Sequence, residues 1–161
     1  MRTSRGANLG EIEAVYRECF PEFRRVAAAI VGDRDAALDV VQEAFGTAIR
    51  RRKTFRREGP LAAWIWRIVV NTATDSRRPR PQPARTAAAP SQNGHVEASG
   101  TLASALALLP ERQRLALFLR YYADLDYAAI AEALGVRPGT VAATLNAAHA
   151  ALRRALEEVP R

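Results

Sequence analysis

The stretch from residue 126 to residue 156, DYAAIAEALGVRPGTVAATLNAAHAALRRAL, carries two helical apolar stripes separated by one glycine. Ile130 and Leu134 lead to Gly135, a residue able to take the left-handed backbone conformation that closes a helix. After Val136 and Arg137, Pro138 sets up another helix, since proline is well tolerated in a first turn. Val141, Leu145, Ala148 and Leu152 then recur at i, i+4, i+7 and i+11, which is one face of a helix. Helix, short glycine-containing turn, helix is the pattern of a helix-turn-helix, although an ordinary helical hairpin shares it.

Upstream, Leu102, Leu106 and Leu109 precede Pro110, which starts the helix PERQRLALFLRYY. Asp124 and Asp126 suit a turn and a cap before the helix at Tyr127. Further upstream, residues 79–100, PRPQPARTAAAPSQNGHVEASG, hold four prolines and no apolar period, which predicts a flexible linker. The chain therefore divides into a module over 9–78, a linker over 79–100 and a module over 101–161. Fully stretched, the linker would reach about 70 Å, and the free chain is expected to hold no fixed distance between its modules.

In the first module, Val15, Phe23, Val26, Ala27 and Ile30 sit at near-helical spacing and end at Gly32. Asp33 and Asp35 offer capping side chains for a second helix, whose buried stripe is Ala37, Val41, Phe45 and Ala48. A third helix opens at Pro60 and runs to about Ser76, with Leu61, Trp64, Ile65, Ile68 and Thr72 on its inner side. Alanine and leucine dominate the apolar 48% of the chain, and strand-forming residues are sparse, so the fold class is all-α.

The net charge of +7 favours an anionic partner. Residues 1–78 carry 15 cations against 10 acids, whereas residues 101–161 carry 7 against 6. Three surfaces stand out. Asp35, Asp39, Gln42 and Glu43 share one side of the second helix, as a docking face for a basic protein or simply a solvated face. Arg50, Arg51, Arg52, Lys53, Arg56 and Arg57 crowd six cations into eight residues, a density that self-repels unless an anion lies against it. Phe55 stands among them, either as an aromatic support for a nucleobase or as a plug closing the loop. Arg67, Asn71, Thr74 and Arg78 recur along the third helix with Trp66 near their edge, a strip able to meet phosphates and base edges.

Other chemistry finds little support. The single cysteine, Cys19, excludes an internal disulfide and reads as a buried, inert thiol. No signal-peptide core, long apolar run, metal-ligand spacing, glycine-rich phosphate loop or paired-carboxylate site occurs. His95 falls in the linker, and His149 lies near Asn146 without a nucleophile. The expectation is a cytoplasmic protein that is not an enzyme, uses no cofactor and inserts into no membrane.

The segments DAALDVVQEAFGTAIRR and FRREGPLAAWIWRIVVNTATDSRR resemble the promoter-melting module of extracytoplasmic-function sigma factors of RNA polymerase. That family shows an acidic "DLVQE-F" helix, an "FRGE" loop and an "AW-RIA-N-A-D" helix, matched here at Asp39, Gln42, Glu43, Phe45, Phe55, Arg56, Glu58, Trp64, Arg67, Asn71 and Asp75. LALLPERQRLALFLRYYADLDYAAIAEALGVRPGTV is similar to the family's second module, from Leu109, Pro110 and Arg112 through Tyr127, Gly135 and Gly139 to Val141. The resemblance spans most of residues 12–156 in the family's order.

It implies a sigma factor whose partners are core polymerase, promoter DNA and an anti-sigma factor, and which is a monomer when free. Asp35, Asp39, Gln42 and Glu43 would dock on the polymerase clamp. Lys53, Phe55, Arg56, Arg57, Trp66, Arg67, Asn71, Thr74 and Arg78 would handle the −10 element. Arg137, Gly139, Thr140, Ala143, Thr144, Asn146 and Arg153 would meet the −35 element.

The match fails in one place. Where the family commonly reads "KSRLHRAR" after "GTV", residues 142–149 are AATLNAAH, so most phosphate-binding cations are missing. Weak or polymerase-dependent −35 recognition is expected. A degenerate, accessory sigma-like subunit is the alternative, and a stand-alone helix-turn-helix repressor would leave the first module unused.

Overall fold

The computed structural model describes residues 6–77 and 100–158. The chain divides into two compact units, each built from helices, with no strand among the described residues. The linker expected over 79–100 lies outside the described residues except for Gly100, which opens a helix.

The first unit holds α1 (Leu9–Val31), α2 (Arg34–Arg51), a 3-10 turn (Arg52–Thr54) and α3 (Leu61–Arg77). Asn8 starts α1 through a capping box: its side chain accepts from the Glu11 N–H at 2.9 Å, and its own N–H donates to Glu11 Oε2 at 2.8 Å. Gly32 ends α1 in the left-handed region, with φ of 79°, and Asp33 Oδ1 then accepts from the N–H groups of Asp35 and Ala36 to open α2. The reversal between α1 and α2 is thus set by two adjoining residues, Gly32 and Asp33, and three helices come to share one core.

That core is aromatic. Phe23 of α1 is fully buried between Trp66 of α3, with ring centres 4.3 Å apart, and Phe45 of α2 at 5.3 Å. Tyr16 extends the chain of rings to Phe45 at 4.8 Å. The expected stripe of α2 is buried as read: Ala37, Val41, Phe45 and Ala48.

On α3 the stripe is broader than expected and rotated. Ala63, Ile65, Trp66, Ile68, Val69, Val70 and Ala73 are buried, whereas Leu61, Trp64 and Thr72 flank the core half-buried. The placing of Trp66 at the outer edge is therefore corrected. At 100° per residue Trp64 and Trp66 point about 200° apart, and Trp66, 1% exposed, takes the core side against Phe23.

The second unit holds α4 (Gly100–Leu108), α5 (Glu111–Tyr121), α6 (Tyr127–Leu134) and α7 (Pro138–Glu157). Asp126 caps α6 by accepting from the Ala129 N–H at 2.8 Å, and Gly135 ends it with φ of 66°. Asp124 takes the left-handed conformation in the preceding turn, with φ of 52°. Val141, Leu145 and Ala148 of α7 are buried with Ile130 of α6 and Leu119 of α5. Helix, left-handed glycine, helix is therefore the observed geometry of α6 and α7.

Phe23→Ala removes the ring that touches both other helices of the first unit. It is expected to destabilise that unit by roughly 3–5 kcal/mol, read from the shift of its denaturant midpoint at unchanged slope.

Candidate nucleic-acid interface

The polar face of α2 stands as the sequence places it. Asp35, Asp39, Gln42 and Glu43 are all exposed, on the side opposite Ala37, Val41 and Ala44. Asp39 and Glu43 have no cation within ion-pair distance among the described residues. Asp35 also lies in the first turn of α2, where a carboxylate favours the helix by itself.

Beyond α2 the cationic loop is ordered by contacts in two directions. Phe55 is 6% exposed and packs on Trp64, ring centres 5.5 Å apart, with the Arg57 guanidinium carbon 6.0 Å from its own ring centre. Of the two readings of Phe55, the plug is the one observed. On its other side the loop meets the segment before α1. The Gly6 N–H donates to the Phe55 carbonyl at 3.1 Å, and the Ala7 N–H donates to the Arg52 carbonyl at 2.8 Å. Both guanidinium nitrogens of Arg57 donate to Glu11, at 3.1 and 3.0 Å. Arg51, Lys53 and Arg56 are left pointing to solvent.

On α3, Arg67 and Asn71 are exposed and one turn apart. Thr74 is half-buried, its hydroxyl enclosed without a hydrogen-bond partner, and Arg78 lies outside the described residues. Between α2 and α3 runs an open polar groove of about 530 Å³, lined by Glu43, Thr47 and Arg51 from one helix and Asn71, Thr72 and Asp75 from the other. Glu43 and Asn71, assigned from sequence to different partners, thus border a single depression. Thr47, Thr72 and Asp75 belong to none of the three surfaces read from the sequence, and Arg51 belongs there only to the cationic run, because neither spacing nor charge on one helix shows which flank meets its neighbour. The Gly6–Ala7 contact was equally out of reach. Its one local trace is the N-x-x-E capping box at Asn8 and Glu11.

On α7, Arg137, Gly139, Thr140, Ala143, Asn146 and Arg153 are exposed, and Thr144 is half-buried with its hydroxyl donating to the Thr140 carbonyl at 2.7 Å. Arg137, at the N-cap position, Gly139 and Thr140 cluster at the start of the helix, the end that enters a major groove in helix-turn-helix readers. Arg153 sits sixteen residues after Arg137, about 24 Å of helical rise away, so it does not join that cluster. The outer face between them is largely Ala143, Ala147 and Ala150. His149 is engaged elsewhere: its Nε2 lies 2.8 Å from the Tyr121 hydroxyl.

Cys19 is half-buried, and burial, with Glu18 and Glu22 nearby, pushes its thiol up from the ordinary value. No group of three or more histidine, cysteine, aspartate or glutamate residues could hold a metal among the described residues, and no described helix is long and apolar enough to cross a membrane.

Comparison with known proteins covers both units. Residues 15–80 match the family described as Sigma-70 region 2, and residues 99–159 match Sigma-70, region 4. The RNA polymerase sigma factor SigV of Bacillus subtilis is 32% identical over 125 residues, covering 74% of this chain and 75% of that protein. The RNA polymerase sigma-H factor of Pseudomonas aeruginosa is 30% identical over 151 residues, covering 81% and 78%. The ECF RNA polymerase sigma factor SigM of Mycobacterium tuberculosis is 29% identical over 149 residues, covering 89% and 76%. Among solved structures, the sigma factor RpoE of Bartonella quintana, in complex with the anti-sigma factor NepR, superposes with a TM-score of 0.69 at 22% identity, covering 94% of this chain and all of that one. CnrH in complex with the cytosolic domain of CnrY gives 0.70 at 19% identity, covering 96% and 92%. At these identities the two structures attest the fold.

The Arg57 guanidinium, with the Asn8 N–H, holds the Glu11 carboxyl below its ordinary value of 4.5. A carboxyl whose pKa is lowered by folding stabilises the fold above its unfolded value, and that contribution is lost as pH falls through the folded value. The stability difference between the parent protein and Glu11→Gln should hold steady from neutral pH down to the ordinary carboxylate range and shrink below it, as checked by urea titrations across pH.

Proposed function

The chain belongs to the extracytoplasmic-function branch of the sigma-70 family, subunits that direct RNA polymerase to promoters and start transcription, and on that premise we propose how its surfaces divide the work. The acidic side of α2, centred on Asp39, Gln42 and Glu43, docks on the polymerase clamp. Arg67 and Asn71 of α3, with Lys53 and Arg56 of the loop, hold the opened strand of the −10 element. The observation carrying this reading is the polar groove that sets Glu43 beside Asn71. Polymerase contact and strand contact lie edge to edge, so attachment to the enzyme would present the strand-binding face to DNA already within reach.

Drawing a base out of a duplex costs a few kcal/mol, so the strand face must supply specific contacts as well as charge. Asn71 is suited to paired hydrogen bonds with a base edge, and the exposed cations around it to phosphates. Phe55 supports the loop from within, and it reaches a base only if it leaves Trp64.

The second unit meets the −35 element through the start of α7, with Arg137, Gly139, Thr140 and Ala143 nearest the groove. Its outer face is mostly alanine, which supports weak −35 reading that depends on polymerase to hold the unit in place. An anti-sigma factor is a further partner, a reading supported by the structural neighbour RpoE, which was solved with an anti-sigma factor. The chain works in the cytoplasm as a monomer until it meets polymerase, without a catalytic group or cofactor of its own.

Charge reversal at Asp39 and Glu43 together should weaken binding to core polymerase by about a hundredfold or more. Asn71→Ala should leave that binding intact and reduce strand opening by roughly tenfold. In vitro transcription with core polymerase and a promoter library reads both effects, and its failure with the parent protein would mark a degenerate subunit. In the same assay, substitutions in the −35 element should lower initiation by less than those in the −10 element, where a mismatch typically costs about 1–3 kcal/mol.

A further inference from the structure

The loop after α2 poses a physical problem that the strand-binding reading leaves open. Arg50, Arg51, Arg52, Lys53, Arg56 and Arg57 repel one another, and chain entropy alone would leave such a loop spread over many conformations. Its own local bonds, Thr54 to the Arg51 carbonyl and Arg52 to the Ile49 carbonyl, tie it only to the end of α2. Besides Phe55 on Trp64, long-range restraints reach it from the residues at the start of α1.

Those residues are built for close approach. Gly6 has φ of 102°, a conformation that side-chain-bearing residues rarely adopt. A Cβ there would stand 2.9 Å from the Arg52 carbonyl oxygen and 2.9 Å from the Lys53 Cα, both backbone atoms without freedom to move aside. Ala7 is buried behind it. Glu11 does two jobs with one carboxylate, closing the capping box of α1 and taking both nitrogens of Arg57. Arg57 itself is held at φ of 59°, a left-handed conformation that is strained for a residue bearing a Cβ.

We infer that Gly6, Ala7 and Glu11 form a clasp that positions the arginine-rich loop for single-stranded DNA, and that Arg57 is an anchor of that clasp rather than a contact to the strand. The inference rests on the strand-binding reading of the loop. The two clasp N–H groups turn the Arg52 and Phe55 carbonyls inward, and Arg51, Lys53 and Arg56 are left facing solvent. A loop ordered before DNA arrives loses less entropy on binding, which appears as affinity without any added contact. Glu11 offsets the charge of Arg57 and so lowers the self-repulsion of the loop.

The test uses the full chain bound to core polymerase, with a labelled single-stranded oligonucleotide selected from a random pool by the parent holoenzyme. Glu11→Gln keeps an acceptor for the Asn8 N–H, as a glutamine does in capping boxes, but loses the charge on Arg57. Gly6→Val breaks the close approach. Each should weaken oligonucleotide binding by about tenfold, with affinity for core polymerase within about twofold of the parent. Arg57→Gln should match Glu11→Gln, the double variant should be no worse than either, and the dependence of binding on salt should keep its slope.

Two results would overturn the clasp. One is unchanged oligonucleotide binding by both Gly6→Val and Glu11→Gln. The other is a salt slope reduced by about one in Arg57→Gln, with losses additive to Glu11→Gln, since that is the signature of a direct phosphate contact. A parent holoenzyme that selects no oligonucleotide would instead remove the strand-binding reading, and the clasp with it.

Discussion

The packing of Trp66 on Phe23 governs what the first unit can present. The apolar residues of α3 wrap more than half of its surface, so their period alone leaves the rotation of the helix about its axis loosely set. Seating one of the two tryptophans of α3, Trp66, against a fully buried ring of α1 fixes that rotation. Arg67 and Asn71, one and five positions further on, then point to solvent, and Asn71 comes to border the groove with Glu43. The exposed strip of Arg67 and Asn71 is a consequence of where the core put its tryptophan.

Charge is distributed to match. The first unit crowds six cations into the end of α2 and the loop after it, and sets three exposed carboxylates, Asp35, Asp39 and Glu43, on one face of α2, with further charges of both signs elsewhere on its helices. On the proposed reading, long-range attraction to DNA would act close to the groups that distinguish one base from another. The second unit is nearly neutral and displays alanine where cations would raise affinity. On the proposed reading its specificity would rest on few groups, at the first turn of α7, and its hold on DNA on being carried there by a larger assembly.

The clasp at the start of α1 illustrates a different economy. A glycine, a buried alanine and one glutamate organise a loop that lies more than forty residues away in sequence. None of them belongs to the recognisable motifs of the loop or of α3. Backbone donors do this work at almost no cost in side chains, and a glycine is needed because the two backbones lie closer than a Cβ permits.

By itself the sequence determined the all-α fold, the ends of most helices, the helix-turn-helix and the polar face of α2, since caps, prolines, glycines and apolar periods act over a few residues. It also carried the family resemblance, through motifs whose spacing is local. Only the tertiary structure decided that Trp66 belongs to the core, that Phe55 plugs its loop against Trp64, that Glu43 and Asn71 share a groove, and that Gly6 and Glu11 reach the loop at Arg52–Arg57. Each of these depends on the rotation of one element against another. That rotation is chosen by how side chains from distant segments fill a common volume, a quantity no single window of sequence contains.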